Sequence, residues 1–395
     1  MAGSQGISKL LVAKLESNWG VKAGATGARY YRRVTSSFQL EKDVYNSNEI
    51  QPSQQMRDMR HGTRRSTGTI SGELAGGSYD TFIQSAVRRN FTAGVTTGAV
   101  LVIASTATTF FRSAGDFLAD GFQIGTVVNV SGFTDAGNNG LFLITALTDD
   151  TMTVAPLAGQ TKTIEAEGDS VTIVQKGKVT WAPLTGHTDD SYTVEEWNPD
   201  TTISRVFLGQ QVNTLTLGIQ PNSMATIELG FLGKDAEAPT NTAYFTTPTA
   251  VSEDSVYSAP DGFLFVNGVA NGVVTGLNLT IENGVTQVPV IGSNSIGAKS
   301  RGKVMVTLDG SAIFDNDDIL NYFNDETEIS LTYVLMSLDN TEAFSIHLPR
   351  VKIGSATVSD GEETLILSFA GVGLEYTGSA DGVENTTILI GDTSL

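Results

Sequence analysis

The sequence predicts a mostly β fold: two tandem β-sandwich or β-barrel units, each with a short flanking helix, plus a small β-barrel or sandwich domain inserted into the first. Three observations carry this expectation. Gly68-Thr-Ile-Ser-Gly-Glu-Leu74 is echoed by Gly302-Lys-Val-Met-Val-Thr-Leu308, and the similarity continues downstream. The copies lie about 234 residues apart at Gly68/Gly302 but about 140 apart at Leu208/Leu348, so roughly 94 residues belong to the first copy alone. Gly (42 residues), Thr and Val are abundant, and apolar runs are short and broken by polar residues, as in Thr126-Val-Val-Asn-Val130.

Residues 1–32, with the small-residue stretch Lys22–Gly27, read as an extended N-terminal arm rather than a core element. The first unit follows as residues 33–94 and 183–238. It opens with a strand at Ser36–Leu40, then a polar span from Tyr45 to Thr67 that reads as a protruding hairpin loop, then the Gly68 strand. Tyr79, Phe82, Ile83, Ala86 and Val87 fit one face of a helix running to about Asn90, with Ser78 as candidate N-cap.

The insert, residues 95–182, reads as six strands: Val100–Ser105, Thr109–Arg112, Thr126–Gly132, Leu141–Leu147, Met152–Ala155 and Val171–Gln175. Its ends should lie close together, because it interrupts a continuous domain. Strand Tyr192–Trp197 has its counterpart at Thr332–Ser337, and the strand pair from Val206 to Phe231 matches the pair from Ile346 to Phe369. Residues 239–257 form a polar linker, 258–378 the second unit and 379–395 a C-terminal segment. In the second unit Ile319, Leu320 and Phe323 repeat the helical face, behind Asp315 or Asp317 as N-cap.

Composition narrows the function classes. With no Cys, disulfides, thiolate metal sites and cysteine nucleophiles are excluded. The N-terminus lacks the apolar core of a secretory signal, and no stretch approaches the roughly 18 apolar residues of a membrane-spanning helix, so a soluble product made in the cytosol is expected. Net charge is −19, but residues 1–90 hold 13 Lys and Arg against 7 Asp and Glu, leaving 11 against 36 for the rest.

Candidate chemistry is sparse. His61, His187 and His347 show no ligand spacing, and His347 reads as a half-exposed strand position. Counting a calcium loop from Asp315 puts Glu326 at the twelfth position but Ile319 and Leu320 at the fifth and sixth, where an oxygen ligand and Gly are needed, so helix-terminal carboxylates are the better account of Asp315–Asp318. Asp360–Glu363 reads as an ordinary hairpin tip. No carboxylate pair stands out for glycoside hydrolysis, Trp19, Trp181 and Trp197 are isolated, and Lys22–Gly27 lacks the ending of a phosphate loop. No catalytic, cofactor or metal residue is assigned.

The basic span is more informative. Arg57, Arg60, His61, Arg64 and Arg65 face only Asp58 within it, and no interleaved aromatics offer base stacking. A loop docking onto the acidic surface of another copy suits the charge split better than a DNA-binding loop, because complementary patches steer association, and a merely solvated loop is the plain alternative.

With these residues in place, the chain resembles the tail tube (major tail) proteins of bacteriophages with long, flexible, non-contractile tails. The resemblance rests on Ser36–Leu40, Ser47–Ile50, Arg57–Arg65, Gly68–Leu74 with the helix after it, Leu277–Asn283, Gly302–Leu308 and Ile346–Lys352. It implies tail-tube-type β units packed side by side into rings that stack into a tube, no enzymatic role, no cofactor, a place in the virion tail, and contacts with tape-measure and tail tip or terminator proteins. If each copy fills one of six equivalent places, three chains complete a ring of pseudo-sixfold symmetry; a true hexamer is the alternative. An acidic lumen would let DNA pass without specific binding. An adhesin or receptor-binding β protein and a carbohydrate-active β-sandwich enzyme are the competing functions.

Overall fold

Strands form wherever Val, Ile, Thr and Phe recur at every second residue, because that period places them on one face of a pleated ribbon. The computed structural model describes residues 3, 5–157, 159–360, 362, 364–378 and 380–394. The chain opens with β1 (Leu10–Leu15), β2 (Arg29–Tyr30), β3 (Thr35–Asn46), β4 (Met59–Glu73), helix α1 (Asp80–Val87) and β5 (Thr92–Ala93). Next come β6 (Ile103–Ser105), β7 (Thr109–Arg112), β8 (Val127–Ser131), β9 (Gly140–Leu147), β10 (Thr151–Pro156) and β11 (Thr172–Gln175). After them run β12 (Lys178–Trp181), β13 (Tyr192–Asn198), β14 (Ile203–Ile219), β15 (Thr226–Gly233) and β16 (Asp235–Ala236). The rest is β17 (Gly262–Val266), β18 (Val269–Ala270), β19 (Val274–Glu282), β20 (Val285–Val288), β21 (Ala298–Arg301), β22 (Met305–Ile313), helix α2 (Asp318–Asn324), β23 (Glu328–Met336), β24 (Ala343–Val358), β25 (Ile366–Gly373) and β26 (Leu389–Asp392).

One pairing order occurs twice. In the first half it runs β2, β1, β13, β14, β15, β4, β3, and in the second β18, β17, β23, β24, β25, β22, β19. The irregularities match too. The bulge at Leu208–Gly209 of β14, opposite Thr193, recurs at Pro349–Arg350 of β24, opposite Ser330, and that at Asn213 between β14 and β15 recurs at Gly354. A short 3-10 turn precedes β1 at Gly6–Ser8 and β17 at Ala259–Asp261. The C-terminal half of β14 also pairs with β19, so the two halves share one sheet in the order β3, β4, β15, β14, β19, β22, β25, β24.

The ladders fix the repeat register differently from the sequence comparison. Thr69 pairs with Gly230 and Asp309 with Ala370, so Gly68 corresponds to Leu308 rather than Gly302. The shift is six residues. An even slip keeps every side chain on its own face, so an alternating pattern alone cannot reject it. By the same ladders Tyr192 corresponds to Ile329, three residues before Thr332.

The helices differ between halves. Phe82, Ile83, Ala86 and Val87 of α1 are fully buried, and Phe82 stacks among Tyr31, Tyr192 and Phe231 with ring centroids 4.4–5.2 Å away. Burial of Phe82, Ile83 and Val87 contributes about 1.5–3 kcal/mol each. Ser78 does not cap α1: the N-cap position is Tyr79, without a side-chain bond, and Arg88 ends the helix in the left-handed conformation at φ 63°. Asp317 holds the N-cap position of α2, again without a side-chain bond. There Ile319, Leu320 and Tyr322 pack on the core while Phe323, expected on the apolar face, points to solvent.

All six strands expected in the insert are present, in the order β11, β8, β9, β10, β7, β6, around a core of its own that includes Phe110, Phe117, Phe142 and Ile173. Backbone bridges Val100–Val171 and Ser105–Glu165 draw the two edges together. A second apolar cluster, Val127, Leu141, Leu143 and Leu157 against Phe265, Val334, Met336 and Ala343, seats the insert on β17 and β23.

Both flexible-looking ends are built in. Residues expected in an arm form β1, whose Leu11, Val12 and Ala13 are buried and which pairs along its whole length with β13. Its Leu-Leu-Val-Ala run was the available signal. The polar span 239–257 folds back over the first half: buried Glu195 accepts hydrogen bonds from the Tyr244 and Phe245 amides at 2.6 and 3.0 Å. At the C-terminus, β26 lies between β24 and β12.

Candidate assembly surfaces

In an antiparallel ladder directly opposed residues share a face. One face of the shared sheet carries Ile70, Leu229, Leu215, Ile281 and Val306, all buried. The other face reads in rows. Ser71, Glu228, Thr216, Thr280 and Thr307 form one, Thr69, Gly230, Thr214, Glu282 and Met305 a second, and Glu73, Thr226, Gly218, Asn278 and Asp309 a third. From β4 to β22 these rows hold four carboxylates and no Lys or Arg. Lys352, at the outer end of the first row, is paired with Glu326 at 2.5 Å. A broad surface of hydroxyls and carboxylates therefore crosses both halves without interruption.

The hairpin β3–β4 extends well beyond the sheet. Its strands continue to Asn46 and from Met59, so the loop proper is residues 47–58, shorter than the polar span suggested, because charged residues pair across the ladder. Arg65 meets Glu41 at 3.1 Å and Asp43 at 3.0 Å; Arg64 meets Asp235 at 2.7 Å, and its amide donates to the Asn294 carbonyl at 2.8 Å. Arg57 and Arg60 reach only Glu49 and Asp58, at 3.4 Å, with exposed side chains, and His61 is exposed in β4. The five basic residues thus divide into an internal pair and an outward group.

The second half has the matching projection, β20–β21, which the sequence reading missed. Its loop carries Ile291 and the first loop carries Ile50, both fully exposed and at corresponding positions. At the base, buried Arg88 donates to Asn283 Oδ1, Asn283 O and the Gly302 carbonyl, each at 2.8 Å, tying the end of α1 to the second half.

Titratable groups elsewhere are structural. His347 is buried, not half-exposed, with Nδ1 2.8 Å from Thr332 Oγ1, and burial pushes its pKa down to about 4. The insert docks over that strand; a Cβ on Gly125 would lie 2.3 Å from the His347 ring, which only the apposition of insert and β24 explains. Burial, with Asp80 nearby, raises Asp392 to about 6 while it accepts from the Gly77 and Ser394 amides at 2.9 Å. Lys162 in the insert is pushed down to about 7 by burial, its Nζ 2.8 Å from Ser105 Oγ and 3.2 Å from the centroid of the Phe110 ring. Among the described residues no group of three or more His, Asp or Glu side chains converges to hold a metal, and no helix is long and apolar enough to cross a membrane. Gly361 and Glu363 of the acidic tip lie outside the described residues.

The sequence profile of the phage tail tube protein family matches residues 6–378, nearly the whole chain. The chain belongs to this family. It is thus a structural protein of the phage tail, and the match spans both halves and the insert. No curated protein matches the sequence.

Proposed function

We propose that this tail tube protein assembles into stacked rings whose wall takes two units from each chain, three chains to a ring, enclosing an acidic conduit for the genome. The observation that carries the reading is the shared sheet, in which one pairing order occurs twice side by side and one uninterrupted face bears Glu73, Glu228, Glu282, Asp309, hydroxyls and amides. Turned inward, that face suits passage rather than binding. Duplex DNA carries one charge per ~1.7 Å and would bind a basic wall tightly by counterion release. A carboxylate wall repels it only over about 8 Å at physiological salt, which discourages sticking without blocking transit.

The units are residues 33–94 with 183–238, and 258–378, with β1 added to the first. The insert, residues 95–182, seated on β17 and β23 rather than on the hydroxyl face, would lie outside the tube. The projecting loops would dock onto the neighbouring ring, Ile50 and Ile291 supplying apolar contact and Arg57 and Arg60 charge. Tape-measure and tail tip or terminator proteins are the further partners, and synthesis in the host cytoplasm precedes incorporation into the virion tail. Electron microscopy of the purified protein tests assembly: hollow filaments are expected, whereas isolated particles at every concentration and salt would refute it.

A further inference from the structure

Within the insert, a strap of chain is pinned to a turn by a cluster of buried polar groups. Residues 159–171, between β10 and β11, have no strand of their own and pack on the turn between β8 and β9. The contact is close: a Cβ on Gly137 of the turn would lie 2.1 Å from the Thr161 carbonyl oxygen of the strap. At its centre Lys162 and Asn138 are both buried. Lys162 Nζ lies 3.2 Å from the centroid of the Phe110 ring and 5.4 Å from that of Phe142, and it donates to Ser105 Oγ at 2.8 Å. Among the described residues no carboxylate forms a salt bridge with it. With its pKa pushed down to about 7 by burial, a large share of the amine is neutral, and therefore nucleophilic, near neutral pH.

The Asn138 carboxamide is held as an acyl donor would be. Its Oδ1 accepts from the Ser105 hydroxyl at 2.9 Å and from the Thr163 amide at 3.0 Å, two donors that polarise Cγ and stabilise charge building on the oxygen. Its Nδ2 donates to Glu165 Oε2 at 2.8 Å, so a carboxyl group stands beside the nitrogen that would depart. Glu165 is itself fixed by the Thr134 and Asp135 amides, at 2.8 and 3.2 Å, and its backbone bridges to that of Ser105. Ser105 Oγ thus stands between the amine and the acyl group, hydrogen-bonded to both.

We propose that Lys162 and Asn138 condense into an isopeptide cross-link, a modification that the insert promotes on itself. Nζ moves past Ser105 Oγ onto Cγ, the approach that a reacting pair needs. The Nζ–Cγ bond forms while Nζ passes a proton to Ser105 Oγ and Ser105 passes its own to Oδ1. Glu165, in its protonated form, gives its proton to Nδ2, the Cγ–Nδ2 bond breaks and ammonia leaves. The proton on Oδ1 returns to Glu165 as the carbonyl re-forms. One amine and one carboxamide become one secondary amide and one ammonia, with no oxidant or cofactor. In a chain without Cys this bond supplies the covalent staple that a disulfide cannot, and it locks the strap to the turn. It forms within a single chain and is independent of ring formation.

Intact-mass spectrometry of the purified full-length protein, followed by peptide mapping, tests this. The wild-type chain should weigh one ammonia less than its sequence, and digestion should release a branched peptide joining the Lys162 and Asn138 segments. Lys162→Met should keep the full mass. Glu165→Gln should slow the bond roughly a hundredfold, the effect of removing a general acid, with an unchanged near-ultraviolet circular dichroism spectrum. Should either variant fail to fold, the wild-type branched peptide alone decides. Full mass in wild-type protein after prolonged incubation under mildly alkaline conditions would overturn the proposal. Loss of ammonia without a branched peptide, the mark of a succinimide at Asn139-Gly140, would overturn it equally.

Discussion

At the scale of single residues, the buried polar groups hold the halves and the insert in place, and two of them set opposing pH dependences. His347, with its pKa lowered from 6.5 to about 4, binds its proton less readily folded than unfolded, so its contribution to stability is lost as pH falls from about 6.5 to 4. At 1.36 kcal/mol per pKa unit that loss reaches about 3 kcal/mol. Asp392, raised from 3.8 to about 6, binds its proton more readily folded, so over about pH 6 to 4 it offsets the loss. The wild-type chain should therefore show a shallow acid response, and His347→Asn should uncover the Asp392 limb. Urea midpoints at pH 7 and pH 4 check this: the variant should gain about 3 kcal/mol relative to wild type on acidification. Parallel midpoints for the two proteins would remove His347 from the account. Composition hides these groups, because burial depends on what the insert and β26 cover rather than on local sequence.

At the scale of elements, the proposed stacking of rings assigns its contacts to the two projecting hairpins. Ile50 and Ile291 occupy corresponding tips with no cover inside the chain, and each, fully buried at a ring-to-ring contact, contributes about 1.5–3 kcal/mol. Ile50→Asp combined with Ile291→Asp should leave the thermal midpoint within about 2 °C, since exposed tips touch little, while shortening filaments to single rings or short stacks in sedimentation and microscopy. Normal filaments from this variant would take stacking away from the tips.

Much at this scale was legible in the sequence. The six insert strands, the hairpin pairs and α1 announce themselves through alternation and a helical stripe. The misreadings share a cause. A six-residue slip preserves alternation, so sequence similarity alone aligns Gly68 with Gly302. Arg64 and Arg65 read as loop residues because their partners Glu41, Asp43 and Asp235 sit on other strands. Strand β1 reads as an arm because six apolar-leaning residues amid Gly and Ser gain structure by pairing with β13 and β2, both distant in the sequence pattern. The hydroxyl and carboxylate face had no signature along the chain, since its rows are assembled from five strands distant in sequence.

At the scale of the molecule, the feature that motivates the proposed ring is a lateral contact between two like units inside one chain. The β14–β19 ladder joins two like units at a fixed angle, and a sheet twisted consistently from unit to unit closes when enough units are added. The insert breaks the equality of the units: it follows α1 and has no counterpart after α2. In the proposed ring, decorated and bare units would alternate, so its true symmetry would be half its apparent symmetry. Reconstruction of assembled tubes by electron cryomicroscopy, refined without imposed ring symmetry, tests the central claim most directly. Six wall units with three inserts per ring, related by a threefold axis, is the result expected; six inserts per ring related by a sixfold axis would contradict it.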